Sequence, residues 1–469
     1  MPRRSMSMSG WGRSAAGSST PAALMRRPVV LWTIAFLSAV LLVDFMAWSA
    51  HLHQMDFEVY RMGGQHVFSN GLYSSEITVY GRHLLFTYPP IAAAFFWPLS
   101  HFSAFVGQVV WDAIDLVALT ALIAVSIAAA HNRGVVRSDW QSALIFLFPV
   151  GFFLYPVRND LALGQINIVL VLMILADLTI GVSWRGREVP KGLLVGLAAA
   201  IKLTPLIFIA YLAVTHQWRA ARNAAITFAL ATGAMFVVAP RASWIYFTKD
   251  AFDVRRVGSA TVVGNQTLRA ALTRAHLPLS SAGFDLVAAA VLCVGLVIAA
   301  AAYRRSSAML GMLVCAATGL LLSPISWIHH YVWIVPALIW LLQGSDRPAR
   351  SGRWALGALV LVLIQHDQPG GSGLLWYVRD NVYVIAALAF LVLVGIMLLA
   401  KRRNDATDDN GVLASSQNLR SERTTAGVSR RLSLHRPERA GATVVGPSQR
   451  EPAATDTRAA DATLELERQ

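Results

Sequence analysis

Long apolar runs recur along this 469-residue chain, and no other feature restricts its fold as strongly. The first extends from Val29 to about Ala50. Others follow near 104–130, 141–157, 167–183, 192–215, 223–239, 283–303, 307–323, 331–343, 354–366 and 381–400. About 20 apolar residues of helix cross the hydrocarbon core of a bilayer. In lipid every backbone polar group must be satisfied internally, so these runs predict helices and not open sheets. Only 14% of the residues are charged, against about 25% in soluble domains, and the mean hydropathy is +0.52. The expected fold is an all-α polytopic membrane protein with about twelve transmembrane helices. The first run lacks a small-x-small cleavage site and precedes many others, so it reads as a span and not as a removed signal.

The formal net charge is +14. Basic residues gather beside the apolar runs, as the positive-inside rule expects, and no basic, aromatic platform suggests nucleic acid. Residues 1–28 are Ser-rich and carry Arg3, Arg4, Arg13, Arg26 and Arg27, so a disordered cytoplasmic N-terminus is expected. Arg304-Arg305, Arg347, Arg350, Arg353 and Lys401-Arg402-Arg403 mark further cytoplasmic turns. The run 192–215 has basic residues at both ends: Arg185, Arg187 and Lys191 before it, Arg219 and Arg222 after it. Two short helices broken at Lys202-Leu203-Thr204-Pro205 would keep both ends inside, and the proline favours that break. Residues 401–469 are polar and mixed in charge, which predicts a disordered cytoplasmic tail and leaves 29–400 as the transmembrane domain. Cys293 and Cys315 both lie in apolar runs and form neither a disulfide framework nor a zinc site.

This topology places six polar clusters on the outer face: Asp56–Arg61, Phe86–Pro90, Arg158–Asn167, Lys202, Gly264–Arg269 and Ser323–His330. Their convergence points to one site, open to the extracytoplasmic side of the plasma membrane. Asp56 sits where the first run leaves the lipid. An acid there can take a proton from a hydroxyl while the other substrate is held by a lipid tail. An inverting sugar transfer from a phosphate needs that single base. The two carboxylates of a glycosidase serve a leaving oxygen that must be protonated. Glu58 is two residues from Asp56 and does not share its helical face.

A leaving phosphate calls for cations or donors. Arg158, Lys202, Arg255, Arg256, Arg269, His329 and His330 are the candidates, and Glu58 and Arg61 beside Asp56 are expected among the substrate-binding residues. A lysine inside an apolar run is costly unless it faces a polar cavity or snorkels to the surface. His329 and His330 are adjacent, and neighbours on a helix point about 100° apart, which disfavours a shared metal. No cofactor is expected, although a divalent metal stays possible. The amides Asn159, Gln165, Asn167, Asn265 and Gln266 both donate and accept and so suit sugar hydroxyls. Helix capping is their ordinary alternative. Tyr60, Tyr88 and Trp327 can stack on a sugar, or serve only as interfacial aromatics.

The ordered series Asp56-x-x-x-Tyr60, Phe86-Thr87-Tyr88-Pro89-Pro90, Gly164-Gln165-Ile166-Asn167, Lys202-Leu203-Thr204-Pro205, Gly264-Asn265-Gln266 and Ser323-Pro324-Ile325-Ser326-Trp327-x-His329-His330 resembles glycosyltransferase family 87. The resemblance covers about residues 29–400. It implies the multispanning GT-C fold and a polyprenyl-phosphate-mannose-dependent α-(1→2)-mannosyltransferase of mycobacteria and their relatives. It further implies Asp56 as catalytic base and a functional histidine at His329 or His330. The acceptor it implies is a phosphatidylinositol mannoside or the mannan of lipomannan and lipoarabinomannan. A transporter or flippase of a lipid-linked sugar is the competing reading. Such folds usually show paired repeats and sites near mid-membrane, and the sequence shows no repeat.

Overall fold

The computed structural model describes residues 54–403, apart from 185, 257, 260, 278–279 and 349–370, together with Phe36 and Val40. The expected spans 29–50 and 354–366 and the expected disordered ends lie outside those residues. What is described is mainly helical. Its strands form two short hairpins, Glu76–Val79 with Arg82–Leu85 and Ser183–Trp184 with Arg187–Glu188. Tyr80 and Gly81 turn the first with φ of 50° and 73°, the positive values a two-residue hairpin turn needs.

Among the described residues, four helices are long and apolar enough to cross a bilayer: Ala104–Ala130 (α3), Trp218–Val238 (α9), Ser281–Arg305 (α12) and Val382–Arg403 (α16). A fifth span results if Tyr155–Leu163 (α5) and Asn167–Ile180 count together, although they bend by 120° at their junction. The first part of that second arm, Asn167–Leu175, is α6. Several other runs read from the sequence form shorter helices, among them Arg137–Phe153 (α4) and Ala308–Leu322 (α13). The fold is therefore a polytopic helical one. At 1.5 Å per residue, 15 residues extend only about 22 Å, so α13 does not span unaided.

The long helices differ in their surroundings. The apolar stretch of α3 is 72% buried within the protein, whereas that of α9 is 17% buried and that of α12 is 22% buried. Helix α3 is thus the central post, and α9 and α12 present apolar side chains outward. Around α3 pack Met55–His66 (α1), α4 and α6, with Pro90–Phe96 (α2) covering α1. Prolines at 89 and 90 suit the start of α2, where no intrahelical donor is needed. This short helix leaves Phe95 and the following Trp97 exposed. Its other face buries Pro90, Ala92, Ala93 and Phe96.

Run 192–215 breaks as its flanking charges suggest. Leu193–Ile201 (α7) ends at Lys202, which is extended, and Ile207–Val214 (α8) follows a short turn at Thr204–Leu206. Helix α7 lies against α9. A Cβ on Gly192 would come 2.1 Å from the Ala220 carbonyl oxygen, and one on Gly196 would come 2.3 Å from that of Ala224. Both contacts advance by four residues, so α7 and α9 run in the same direction. Helix α8 returns the chain to the start of α9, which makes 192–215 a hairpin with Lys202 near its tip. Asp177 accepts from the Gly192 and Val195 amides at 2.9–3.0 Å and caps the start of α7 with negative charge.

Candidate active site

Five of the six polar clusters meet at the tip of that hairpin. Asp56 and Tyr60 are four residues apart on α1 and share one face. The Tyr60 hydroxyl donates to Gln165 Oε1 at 2.8 Å, and Tyr88 Oη lies 3.4 Å from the same oxygen. Gln165 is also close enough to the Asp56 carboxyl to favour its ionised form. Gln165 is aimed there by Gly164, the left-handed residue that ends α5 at φ +69°. A Cβ at Gly164 would fall 2.6 Å from Gln54 Oε1 and 2.7 Å from Phe57 Cβ, so both space and backbone demand glycine.

Lys202 joins the other half of the cluster. Its Nζ donates to Asn167 Oδ1 at 2.7 Å, lies 3.2 Å from His330 Nε2, and sits 5.3 Å from the centre of the Tyr88 ring. An ammonium can only donate, so His330 accepts through Nε2 and carries its proton on Nδ1. Asn167 Nδ2 donates to Asp160 Oδ1 at 2.6 Å, which turns the amide oxygen toward Lys202. His329 is buried, and its Nδ1 pairs with Asn159 Oδ1 at 3.1 Å. Its Nε2 has no hydrogen-bond partner among the described residues.

Burial pushes the Asp56 carboxyl up to about 6, against the neighbouring Gln165 amide and the positive charge of Lys202, which both pull it down. Near neutral pH it is an ionised carboxylate of more than ordinary basicity. Burial also raises the Tyr60 and Tyr88 hydroxyls well above their usual range, so both remain protonated donors. Beside Asn167 and His330 opens a cleft whose walls are mostly apolar, including Leu170, Val171, Ile174, Phe208 and Leu320. The arrangement combines a base, a cation and neutral donors beside a narrow apolar cleft of about 50 Å³.

Other residues picked from the sequence lie elsewhere. Glu58 is buried and pairs with Arg61 at 2.9 Å. Arg158 lies 5.4 Å from the Tyr155 ring centre. Arg269 is exposed and stacks on Phe284 at 4.9 Å. Asn265 and Gln266 hold loops together. Asn265 Oδ1 accepts from the Ser326 amide, while Gln266 Nε2 donates to the carbonyls of Val263 and Asp380. Trp327 pairs with Asn265 through its backbone and packs its ring against Gly258. Arg255 pairs with Asp253 at the surface, and Arg256 reaches the Tyr73 carbonyl and Asp250.

Sequence reasoning passes over Gln54, Asp112 and Asp115, and includes Asp160 only within the cluster Arg158–Asn167. Gln54 donates to Asp112 Oδ1 at 2.7 Å and to the Leu161 carbonyl, behind the cluster. Asp115 is fully buried. Two aspartates inside the apolar run 104–130 are the available signal, since ionisable residues there are costly. Among the described residues, no three His, Cys, Asp or Glu side chains form a group that could hold a metal ion.

A family model described as glycosyltransferase family 87 matches residues 86–324. A polyprenol-phosphate-mannose-dependent α-(1-2)-phosphatidylinositol mannoside mannosyltransferase of Mycobacterium tuberculosis is 31% identical over 84% of this chain and 96% of its own length. Its Mycolicibacterium smegmatis counterpart is 32% identical over 79% of this chain and 90% of its own. A phosphatidylinositol pentamannoside mannosyltransferase from Mycobacterium tuberculosis is 34% identical over 66% of this chain and 72% of its own. No solved structure matches.

Proposed function

Because this chain belongs to glycosyltransferase family 87, we propose that it is an inverting α-(1→2)-mannosyltransferase with Asp56 as its general base. The donor in this reading is polyprenyl phosphate mannose and the acceptor a mannosylated glycolipid at the outer face of the plasma membrane. The observation that carries it is the hydrogen-bonded cluster that holds the basic Asp56 carboxylate within the field of Lys202. Asp56 takes the proton from the 2-hydroxyl of an acceptor mannose. That oxygen attacks the anomeric carbon of a β-mannosyl donor, and the bond from that carbon to the phosphate oxygen breaks. Polyprenyl phosphate leaves with the electron pair, and inversion gives the α link. Lys202 and the Nδ1–H of His330 stabilise the phosphate as its charge grows, a preorganised arrangement that requires no reorganisation during the reaction. His329 Nε2, which has no hydrogen-bond partner among the described residues, accepts from a sugar hydroxyl. The relatives above are named for phosphatidylinositol mannosides, which favours that acceptor over a mannan branch.

The test is transfer of labelled mannose from polyprenyl phosphate mannose to glycolipid in membranes carrying wild type or Asp56→Asn, with and without EDTA. The substitution keeps the volume and removes the base. Transfer should fall by about 10²–10⁴, the usual contribution of general base catalysis. Near-normal transfer by the Asp56→Asn protein would rule out Asp56 as base, and inhibition by EDTA would require a metal in the reaction.

A further inference from the structure

The open end of the hairpin is a second polar place. Lys191, ahead of α7, and the turn from α8 into α9 border an open cavity of about 620 Å³. It is lined by Lys191, His216, Gln217, Trp218, Arg219 and Asn223, and no carboxylate is among these described wall residues. Asp177, whose charge reaches Lys191, uses its oxygens on the Gly192 and Val195 amides. The cavity is a built one. Asn223 Nδ2 donates to the Lys191 carbonyl at 3.0 Å and fastens the two walls together. Gln217 Nε2 donates to Thr215 Oγ1, and His216 holds a left-handed φ of +61° beside the Trp218 ring.

We propose that this cavity binds the phosphate headgroup of an anionic phospholipid, separately from the transfer site. Lys191 and Arg219 supply the charge, and the free amides at the start of the 21-residue α9 add to it. Trp218 is exposed, as suits an indole at the boundary between lipid and water. Along the same helix Ile226, Leu230, Phe236 and Val237 are exposed, giving acyl chains an apolar track below the headgroup. A free phosphate would use the cations but not the track, so the combination favours a lipid. Basic pockets between helices are a recurring form of such recognition. Helix α7 is nine residues long, which puts this cavity on the order of 13 Å from Lys202 along the hairpin.

The experiment uses the full chain purified in a neutral detergent. Binding is read by native mass spectrometry and by thermal unfolding, with phosphatidylglycerol, phosphatidylcholine or inorganic phosphate added. Phosphatidylglycerol should be retained and should raise Tm, and the other two should do neither. Lys191→Gln with Arg219→Gln should weaken retention about tenfold, the scale of one charge-assisted hydrogen bond, with mannose transfer unchanged. If the double variant does not accumulate, Arg219→Gln alone must still weaken retention, because Arg219 is exposed and its loss leaves the core intact. Unaltered phosphatidylglycerol retention in the variants, equal retention of phosphatidylcholine, or an equal shift with inorganic phosphate would each overturn the proposal.

Discussion

Two polar regions lie at the same end of the helical assembly, and they handle their polar atoms in opposite ways. Around Lys202, side chains bind side chains: Tyr60 to Gln165, Asn167 to Asp160, Lys202 to Asn167 and His330. Around Gln266, side chains bind backbone. Gln266 takes up the Val263 and Asp380 carbonyls and the Tyr383 amide, Arg274 holds the Val262 and Asn265 carbonyls, and Tyr331 donates to the Gln266 carbonyl. A side chain committed to backbone fixes a loop. A side chain held by other side chains can exchange a partner for a ligand. The first region therefore suits chemistry and the second suits support.

Replacing Lys202 tests this division most severely. Lys202→Gln keeps a donor for Asn167 and removes the only cation hydrogen-bonded within the cluster among the described residues. Mannose transfer should drop by about 10²–10³, the scale of a lost preorganised electrostatic contact, while the protein accumulates normally. Transfer within a few-fold of wild type would mean that the phosphate is stabilised from another side, and the comparison would break.

How far this division is legible in the sequence depends on the residue. Lys202 stands out as a lysine in an apolar run, and the basic residues at both ends of 192–215, with Pro205 between them, contain the hairpin. The six clusters are also visible as interruptions, and four of them converge on a fifth, Lys202. What cannot be read is the partner of each amide. Gln165 and Gln266 both lie in polar patches that open with a glycine. Only the fold shows that one faces Tyr60 and Asp56 and the other faces carbonyls. Arg269 reads as a phosphate ligand because its charge is legible and its neighbour Phe284 is not. The helical pattern overstates regular crossings, because apolar periodicity is the same in a full span, in a 15-residue segment such as α13, and in the bent arms on either side of Gly164.

The pH profile sharpens the picture of the first region. The base must be ionised to work, and the Asp56 carboxyl is raised to about 6. The kcat/KM for transfer should therefore be level near neutral pH and fall about tenfold for each unit below 6. Gln165 and Lys202 both pull that carboxyl down. Gln165→Ala or Lys202→Gln should then move the acid limb to higher pH. A limb that stays in place in both variants would show that neither neighbour acts on the base.

Gln266→Ala should have the smallest effect on chemistry and a clear one on stability. The change leaves the Val263 and Asp380 carbonyls and the Tyr383 amide without their side-chain partner in a buried place. Each unsatisfied buried group costs about 1–3 kcal/mol, so Tm in detergent should fall by several degrees. Gln266 touches none of Asp56, Gln165, Asn167 or Lys202 in the hydrogen-bond pattern, so kcat per folded molecule should be little changed. A fall in kcat with Tm unaltered would place Gln266 among the substrate-binding groups, and loop 264–266 would then belong with the cluster at Lys202 and not with its support.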